Sequence, residues 1–206
     1  MQIKCGPANN IRTLNFELPA DAANIAVCVS GGIDSAIMYH LLLEENHQLG
    51  NLHNIVPVTV WRKEGSKNFA KLVIAHVLAS FEKPYQDPTI LGDPTLPEDQ
   101  QVKSALQAAS KLGFRQAYVG IIDQLDEHTV GWVKLGATEN NFYRTPLRNL
   151  QKSHIIDLVV QRKQQALFYI THACDQTEIG RCGSCNGCRE RKWGFEQLAL
   201  SDPSML

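Results

Sequence analysis

The stretch Ile25-Ala26-Val27-Cys28-Val29-Ser30-Gly31-Gly32-Ile33-Asp34-Ser35 constrains this chain more than any other. Its apolar start reads as a buried strand, and Ala36-Ile37-Met38-Tyr39-His40-Leu41-Leu42-Leu43 reads as a helix entered through the glycine turn. Adjacent glycines permit positive φ and let the backbone approach a ligand closely. The helix start offers free N–H groups and the positive end of its dipole. Ser30 and Ser35 add hydroxyl donors. Residues Val29 to Ser35 therefore form an anion site sized for phosphates. For Asp34 the local alternative is a helix cap.

No lysine follows these glycines, which separates the pattern from the Walker loop and its Gly-Lys-Ser/Thr ending. Ser30-Gly31-Gly32-Ile33-Asp34-Ser35 instead resembles the PP-loop of ATP pyrophosphatases. Those enzymes hold the β- and γ-phosphates as a leaving group while a nucleophile attacks the α-phosphate. The resemblance implies that ATP is held by Val29, Ser30, Gly31, Gly32, Ile33, Asp34 and Ser35.

A length of 206 residues suits one domain with a full core. We expect a single unit over 1–206, with an N-terminal strand extension at 1–24 and a metal-binding segment at 171–203. Hydrophobic content of 44% with 20% charged residues is that of a globular, soluble chain. A net charge of −1 excludes a polyelectrolyte grip on nucleic acid or an anionic membrane, although Arg181, Arg189, Arg191 and Lys192 form a local basic group. No apolar run approaches the roughly 20 residues that span a bilayer. Met1-Gln2-Ile3-Lys4-Cys5-Gly6-Pro7 lacks the apolar segment of a secretory signal, so a cytoplasmic location is expected.

Leu14, Phe16 and Leu18 alternate over residues 11–18, which predicts a half-buried strand at a sheet edge. The helix after the glycine turn is expected to run to about Glu45 and close at His47–Asn51. Ile55 to Trp61 is the second central strand, with Pro57 near its beginning or on an open side. Phe69, Leu72, Val73, His76, Val77 and Ser80 fall at helical spacing, with His76 core-facing or partly buried. Prolines at 84, 88, 94 and 97 enclose one short strand before the capping box Thr95-Leu96-Pro97-Glu98. Val102, Ala105, Leu106, Ala109 and Leu112 carry the next helix, and Gln116–Ile122 the next strand. Strands alternating with helices give an α/β, doubly wound parallel sheet.

Residues 123–145 show no periodicity and hold Asp123, Asp126, Glu127, His128, Glu139, Asn140, Asn141 and Arg144, a polar loop either functional or merely solvated. Pro146-Leu147 then opens a helix bearing Lys152, Ile155, Ile156, Leu158 and Val159. This Pro-Leu, Lys, Ile-Ile sequence resembles a second PP-loop-family element whose lysine lies near the nucleotide phosphates. A cation there would offset charge developing on the α-phosphate and the departing pyrophosphate.

Six cysteines fit a reducing compartment if most of them bind metal. Cys28 lies in the strand as a small hydrophobe, and Cys5 has no assigned role. Cys174, Cys182, Cys185 and Cys188 contain two overlapping C-x-x-C units, and four thiolates close a tetrahedral zinc site. An iron–sulfur cluster uses similar spacing. Arg181, Arg189 and Arg191 would offset the thiolate charge, and the metal would pin the last helix and tail beside the sheet.

Thr171-His172-Ala173-Cys174, then Cys182-Gly183-Ser184-Cys185-Asn186-Gly187-Cys188-Arg189-Glu190-Arg191, together with Trp193-Gly194-Phe195 and Asp202-Pro203, resemble the 7-cyano-7-deazaguanine synthase family. The likeness is loose over 25–80 and close over 144–203, and Pro146-Leu147 and Lys152 fall where that family has similar residues. It implies a PP-loop (adenine nucleotide alpha hydrolase-like) fold with a small C-terminal zinc knuckle. It further implies that the carboxylate of 7-carboxy-7-deazaguanine attacks the α-phosphate of ATP, that ammonia displaces AMP to give an amide, and that a second adenylation gives the nitrile. Asp34 and Lys152 would be catalytic, magnesium would bridge the phosphates, and zinc would be structural on Cys174, Cys182, Cys185 and Cys188. The partners implied are small molecules rather than nucleic acid or membrane, with a homodimer as the assembly.

The chain departs from the family in its middle. Trp61-Arg62-Lys63-Glu64-Gly65 stands where a Tyr-Gly-Gln-Arg-His-like run is usual, and Asp126-Glu127-His128 replaces an Asp-Cys-Arg element. A Pro-x-Arg-Asn element is not apparent there either. ATP activation and the metal site thus carry over better than the substrate. A relative that stops at the amide, or joins the acid to another amine, fits the same residues. So does a PP-loop tRNA-modifying enzyme, although no basic RNA-binding module accompanies it. The non-enzymatic alternative is a nucleotide fold used as an interaction platform.

Overall fold

The computed structural model describes residues 1–60, 66–93, 95–96, 98–123, 142–174, 176–177 and 179–205. A parallel sheet of five strands has the order β5(Thr89–Leu91), β4(Asn54–Val60), β3(Asn24–Cys28), β6(Gln116–Val119), β7(Tyr143–Arg144). From β3 the chain moves outward to β4 and β5, then returns to the far side of β3 as β6. The reversal lies between β3 and β6, and ligands of open α/β sheets bind at such a reversal, beyond the carboxyl ends of the strands. The glycine turn leaves β3 at that place.

Alternation along β3 divides the core. Ile25, Val27 and Val29 enter one apolar cluster with α1(Ile33–Gln48), α2(Ser66–Ala79) and α4(Lys152–Gln161). Ala26 and Cys28 enter the other, with Ala105, Leu106 and Ala109 of α3(Glu98–Lys111). Both faces of the sheet are thereby covered, which is why β3 reads as an unbroken apolar run. Burial pushes the Cys28 thiol up to about 12, consistent with a core filler. Among the described residues no helix is long and apolar enough to cross a membrane.

Several expectations need correction. The 11–18 stretch keeps its buried face of Leu14, Phe16 and Leu18, but it is not an edge of the main sheet. Its strand, β2(Arg12–Asn15), pairs antiparallel with β1(Gln2–Cys5) in a separate hairpin. Pro146–Asn149 is a turn rather than helix, and α4 begins at Lys152. Leu72 and Leu112 are exposed; α2 buries Ala70, Val73, Ile74, Val77 and Leu78 instead. Arg191 leaves the basic group altogether, being 1% exposed in an ion pair with Asp202.

Pro57 sits mid-strand. Val58 faces β3, since its carbonyl accepts from the Val29 N–H, so alternation turns Pro57 toward β5. There β5 begins only opposite Val58, so the ladder asks no bond of the missing Pro57 N–H. His76 is partly buried and bonds to Gln164 at 2.9 Å. The capping-box proline Pro97, the family-divergent runs Trp61–Gly65 and Asp126–His128, and Glu139, Asn140 and Asn141 lie outside the described residues.

Candidate active site and metal centre

The turn after β3 closes on its own hydroxyls. Ser35 Oγ accepts the Ser30 N–H at 3.0 Å, lies 3.1 Å from Ser30 Oγ, and donates to the Gly32 carbonyl at 3.0 Å. Gly32 is the N-cap of α1 and no side chain caps it, so Asp34 is not a helix cap. The first turn of this 16-residue helix thus keeps its N–H groups and dipole for an anion. Two glycines are required by packing. At Gly31 φ is +86°, and a Cβ would lie 2.6 Å from Cβ of Phe69. At Gly120, just past β6, a Cβ would lie 2.9 Å from the Asp34 and Ser35 backbone. The end of β6 therefore lies directly against the head of α1.

Asp34 and Lys152 meet across 118 residues. The lysine Nζ donates to both carboxylate oxygens of Asp34 at 2.7 Å, and Glu190 Oε2 is 3.3 Å away. The Lys152 side chain is 4% exposed, against 24% for Asp34 and 21% for Glu190. Burial works against its charge, yet the facing Asp34 and Glu190 carboxylates outweigh it and hold the ammonium above the ordinary lysine range. Lys152 is the first residue of α4, whose start is closed by reciprocal bonds between Gln151 and His154. In that box the Gln151 N–H donates to His154 Nδ1, which leaves Nε2 to donate to the Asn10 carbonyl at 2.9 Å.

The four cysteines converge. Sγ atoms of Cys174, Cys182, Cys185 and Cys188 all lie within 4.8 Å of one another, and Cys174 and Cys185 are 3.9 Å apart. Backbone N–H groups of Ser184 and Cys185 point at Cys182 Sγ, at 3.4 and 3.2 Å, as they do in metal knuckles. Burial raises the Cys174 thiol, but bonds from the Thr177 hydroxyl and from the Gln176, Cys182 and Thr177 backbone bring it down to about 5. Cys185 caps α6(Asn186–Glu196) by accepting the Cys188 N–H on sulfur. The ligand set is therefore seated partly on a helix start.

This knuckle adjoins the glycine turn. The His172 N–H donates to the Gly31 carbonyl at 2.9 Å, and the His172 ring stacks on Phe69 at 4.4 Å. Next in sequence, the Ala173 carbonyl faces Gly187, where a Cβ would lie 1.8 Å from that oxygen. Sequence reasoning placed His172, Gly187 and Glu190 in a motif but gave them no part in the site. Nothing local marks them, because each acts on a residue distant in sequence. Asp123 pairs with Arg12 at 3.3 Å. Arg144 ends β7, in register with Tyr118.

Comparison with known proteins points the same way. The family model of the queuosine biosynthesis protein QueC matches residues 106–199. The 7-cyano-7-deazaguanine synthase of Cellvibrio japonicus is 43% identical over 68 residues, 30% of this chain and 27% of that protein. That of Pseudomonas fluorescens is 30% identical over 118 residues, 48% of this chain and 50% of that protein. The matched part thus spans between about a quarter and a half of these curated relatives. Among solved structures, the U34-tRNA thiolase NcsA from Methanococcus maripaludis, with its [4Fe-4S] cluster, superposes with a TM-score of 0.50 at 14% identity. That superposition covers 92% of this chain and 71% of the thiolase, a likeness of fold alone. The chain has the PP-loop fold, and over residues 106–199 it is similar to the queuosine biosynthesis protein QueC, as parts of it are to 7-cyano-7-deazaguanine synthases.

Proposed function

We propose that the chain is an ATP-dependent carbon–nitrogen ligase that adenylates the carboxylate of 7-carboxy-7-deazaguanine and passes it, with ammonia, through the amide to the nitrile. The observation that carries this reading is the 2.7 Å contact between Lys152 and Asp34, which joins the α4 cation to the anion-binding turn. The uncapped start of α1 takes the β- and γ-phosphates of ATP, supplied with magnesium. A carboxylate oxygen forms a bond to the α-phosphorus while the bond to the bridging oxygen breaks and pyrophosphate departs. Lys152 offsets the charge that develops on both, and Asp34 holds the lysine in place. Ammonia then expels AMP to give the amide. A second adenylation on the amide oxygen, followed by loss of AMP and a proton, leaves the nitrile.

The cysteine site takes a single zinc ion in this reading. With Zn–S near 2.3 Å, tetrahedral sulfurs stand about 3.8 Å apart. The thiolates around a cubane iron–sulfur cluster stand roughly 6 Å apart. Mutual separations within 4.8 Å fit the mononuclear ion. Zinc supplies no reaction chemistry here; it fixes Cys174 against the start of α6.

Mass spectrometry after incubation with ATP, magnesium, ammonia and 7-carboxy-7-deazaguanine is expected to show the nitrile, with pyrophosphate and AMP released. Amide as the final product would retain adenylation but not the second step. No pyrophosphate release would overturn the reading. Elemental analysis is expected to find about one zinc per chain.

A further inference from the structure

Lys152 faces two carboxylates, and they come from different places. Asp34 belongs to the anion-binding turn itself and holds the ammonium through both oxygens at 2.7 Å. Glu190 belongs to α6, two residues beyond Cys188, and approaches the ammonium at a longer 3.3 Å. The α6 backbone lies close against the lysine: at Gly194 a Cβ would fall 2.8 Å from Lys152 Cγ. Both carboxylates bear on the same ammonium, at the edge of a site built to receive anions. A polyphosphate that engages Lys152 therefore meets Glu190 as a competitor of its own sign.

We propose that Glu190 is a positioning residue that holds Lys152 in a resting pair and competes with the polyphosphate for it, so that the metal-knuckle helix sets the anion affinity of the PP-loop. The proposal rests on the reading that this loop takes the polyphosphate of ATP. Asp34 cannot play the same part, because it belongs to the anion-binding start of α1 itself, whereas Glu190 reaches Lys152 from a separate helix whose start carries Cys185 and Cys188. Glu190→Gln keeps the shape of the contact and removes its charge. Damage to the site weakens binding; loss of a competitor strengthens it, and that sign separates the two roles.

The test is calorimetric titration of metal-loaded protein with pyrophosphate and magnesium, with metal content and melting measured on each variant. Glu190→Gln is expected to bind pyrophosphate about five-fold more tightly than wild type. Glu196→Gln removes the same charge from the exposed side of α6, where Glu196 lies 3.9 Å from Lys192, and is expected to change little. In a Lys152→Gln background the gain from Glu190→Gln is expected to vanish. Equal gains in both α6 variants would reduce the effect to net charge and overturn the proposal, as would weaker binding by a stably folded Glu190→Gln. If Glu190→Gln loses its metal, Glu190→Asp withdraws the carboxylate by one methylene, and no gain there overturns the proposal too. A wild type that takes no pyrophosphate would instead bring down the reading of the loop, and this inference with it.

Discussion

Lys152 occupies a place where an unpaired ammonium would shed its proton, and Asp34 is the closer of the two groups that keep it charged. A basic group whose folded-state pKa is raised contributes stability that is complete below its unfolded value, 10.5, and is lost as pH rises through the folded value. The pair is therefore fully formed across the neutral range. Asp34→Ala leaves the buried cation with one fewer anion, at a cost on the order of 2 kcal/mol. It is expected to lower pyrophosphate release by about 100-fold, since Lys152 loses its place beside the loop. Steady-state pyrophosphate detection on folded, metal-loaded variant checks this, and retained turnover would remove Asp34 from the site. His40 gives a prediction of opposite sign. Burial pushes it down from 6.5 to about 4, helped by the nearby Arg162 and His76, and its Nδ1 has no partner among the described residues. Between those values the unfolded chain holds the proton and the folded one does not, so stability falls as pH drops through this window and levels below it. His40 contributes a slope of about 1.4 kcal/mol per pH unit there. His40→Leu is expected to flatten urea-derived stability over this range, with the neutral-pH value unchanged or higher.

Helix α6 works as an element because its start carries two cysteines of the cluster, a cap and a glycine at once. Gly187 meets the Ala173 carbonyl where any side chain would overlap it, and the adjacent Cys174 is one of the four converging cysteines. Gly187→Ala must push α6 away from residues 173–174. It is expected to lose most of its metal-binding capacity and to melt well below wild type, by several kcal/mol of stability, read from metal content and circular dichroism. Wild-type metal content in that variant would show that the knuckle closes without this contact. The strand–turn–helix at 25–43 and the cysteine spacing were legible because each is local: periodicity and ligand count need no distant partner. The β1 strand was not, since Gln2-Ile3-Lys4-Cys5 is too short to show a period before it pairs with Arg12–Asn15. Nor was the late start of α4. Thr145 and Leu147 carbonyls accept from Arg148 and Leu150 in tight turns, while Leu150 accepts the Asp123 N–H from the end of β6. Glu190 and Arg191 show the limit most plainly. Neighbours of opposite charge, they look alike as surface residues, yet each is drawn inward by a partner the local sequence does not contain, Lys152 in one case and Asp202 in the other.

At the scale of the whole molecule, α4 is the element on which the extremities converge. Its Asp157 accepts the Gly6 N–H at 2.7 Å, its His154 donates to Asn10, and its Gln161 donates to the Lys4 carbonyl, so the N-terminal hairpin is fastened to it. Its Lys152 joins the PP-loop to the metal-knuckle helix, and Arg162, at its C-cap, reaches Glu44 of α1 at 2.7 Å. The C-terminal tail closes the same assembly. Asp202 takes both Nε and Nη2 of Arg191, which also donates to the Phe168 carbonyl at 2.7 Å and lies against the rings of Phe168 and Phe195. Ile3, Leu14, Ile37, Ile156, Phe168 and Phe195 then belong to one continuous apolar cluster. Elements that share a helix and a core melt together. Asp202→Ala strands a buried guanidinium and is expected to cost about 3–5 kcal/mol, a large part of the stability of an ordinary domain. The loss is expected to displace a single transition rather than split it. In urea, tryptophan fluorescence and far-ultraviolet circular dichroism should shift together to a lower midpoint with an unchanged slope. Two separated transitions would show that the hairpin or the knuckle folds independently of the sheet, and would end the description of this chain as one cooperative unit.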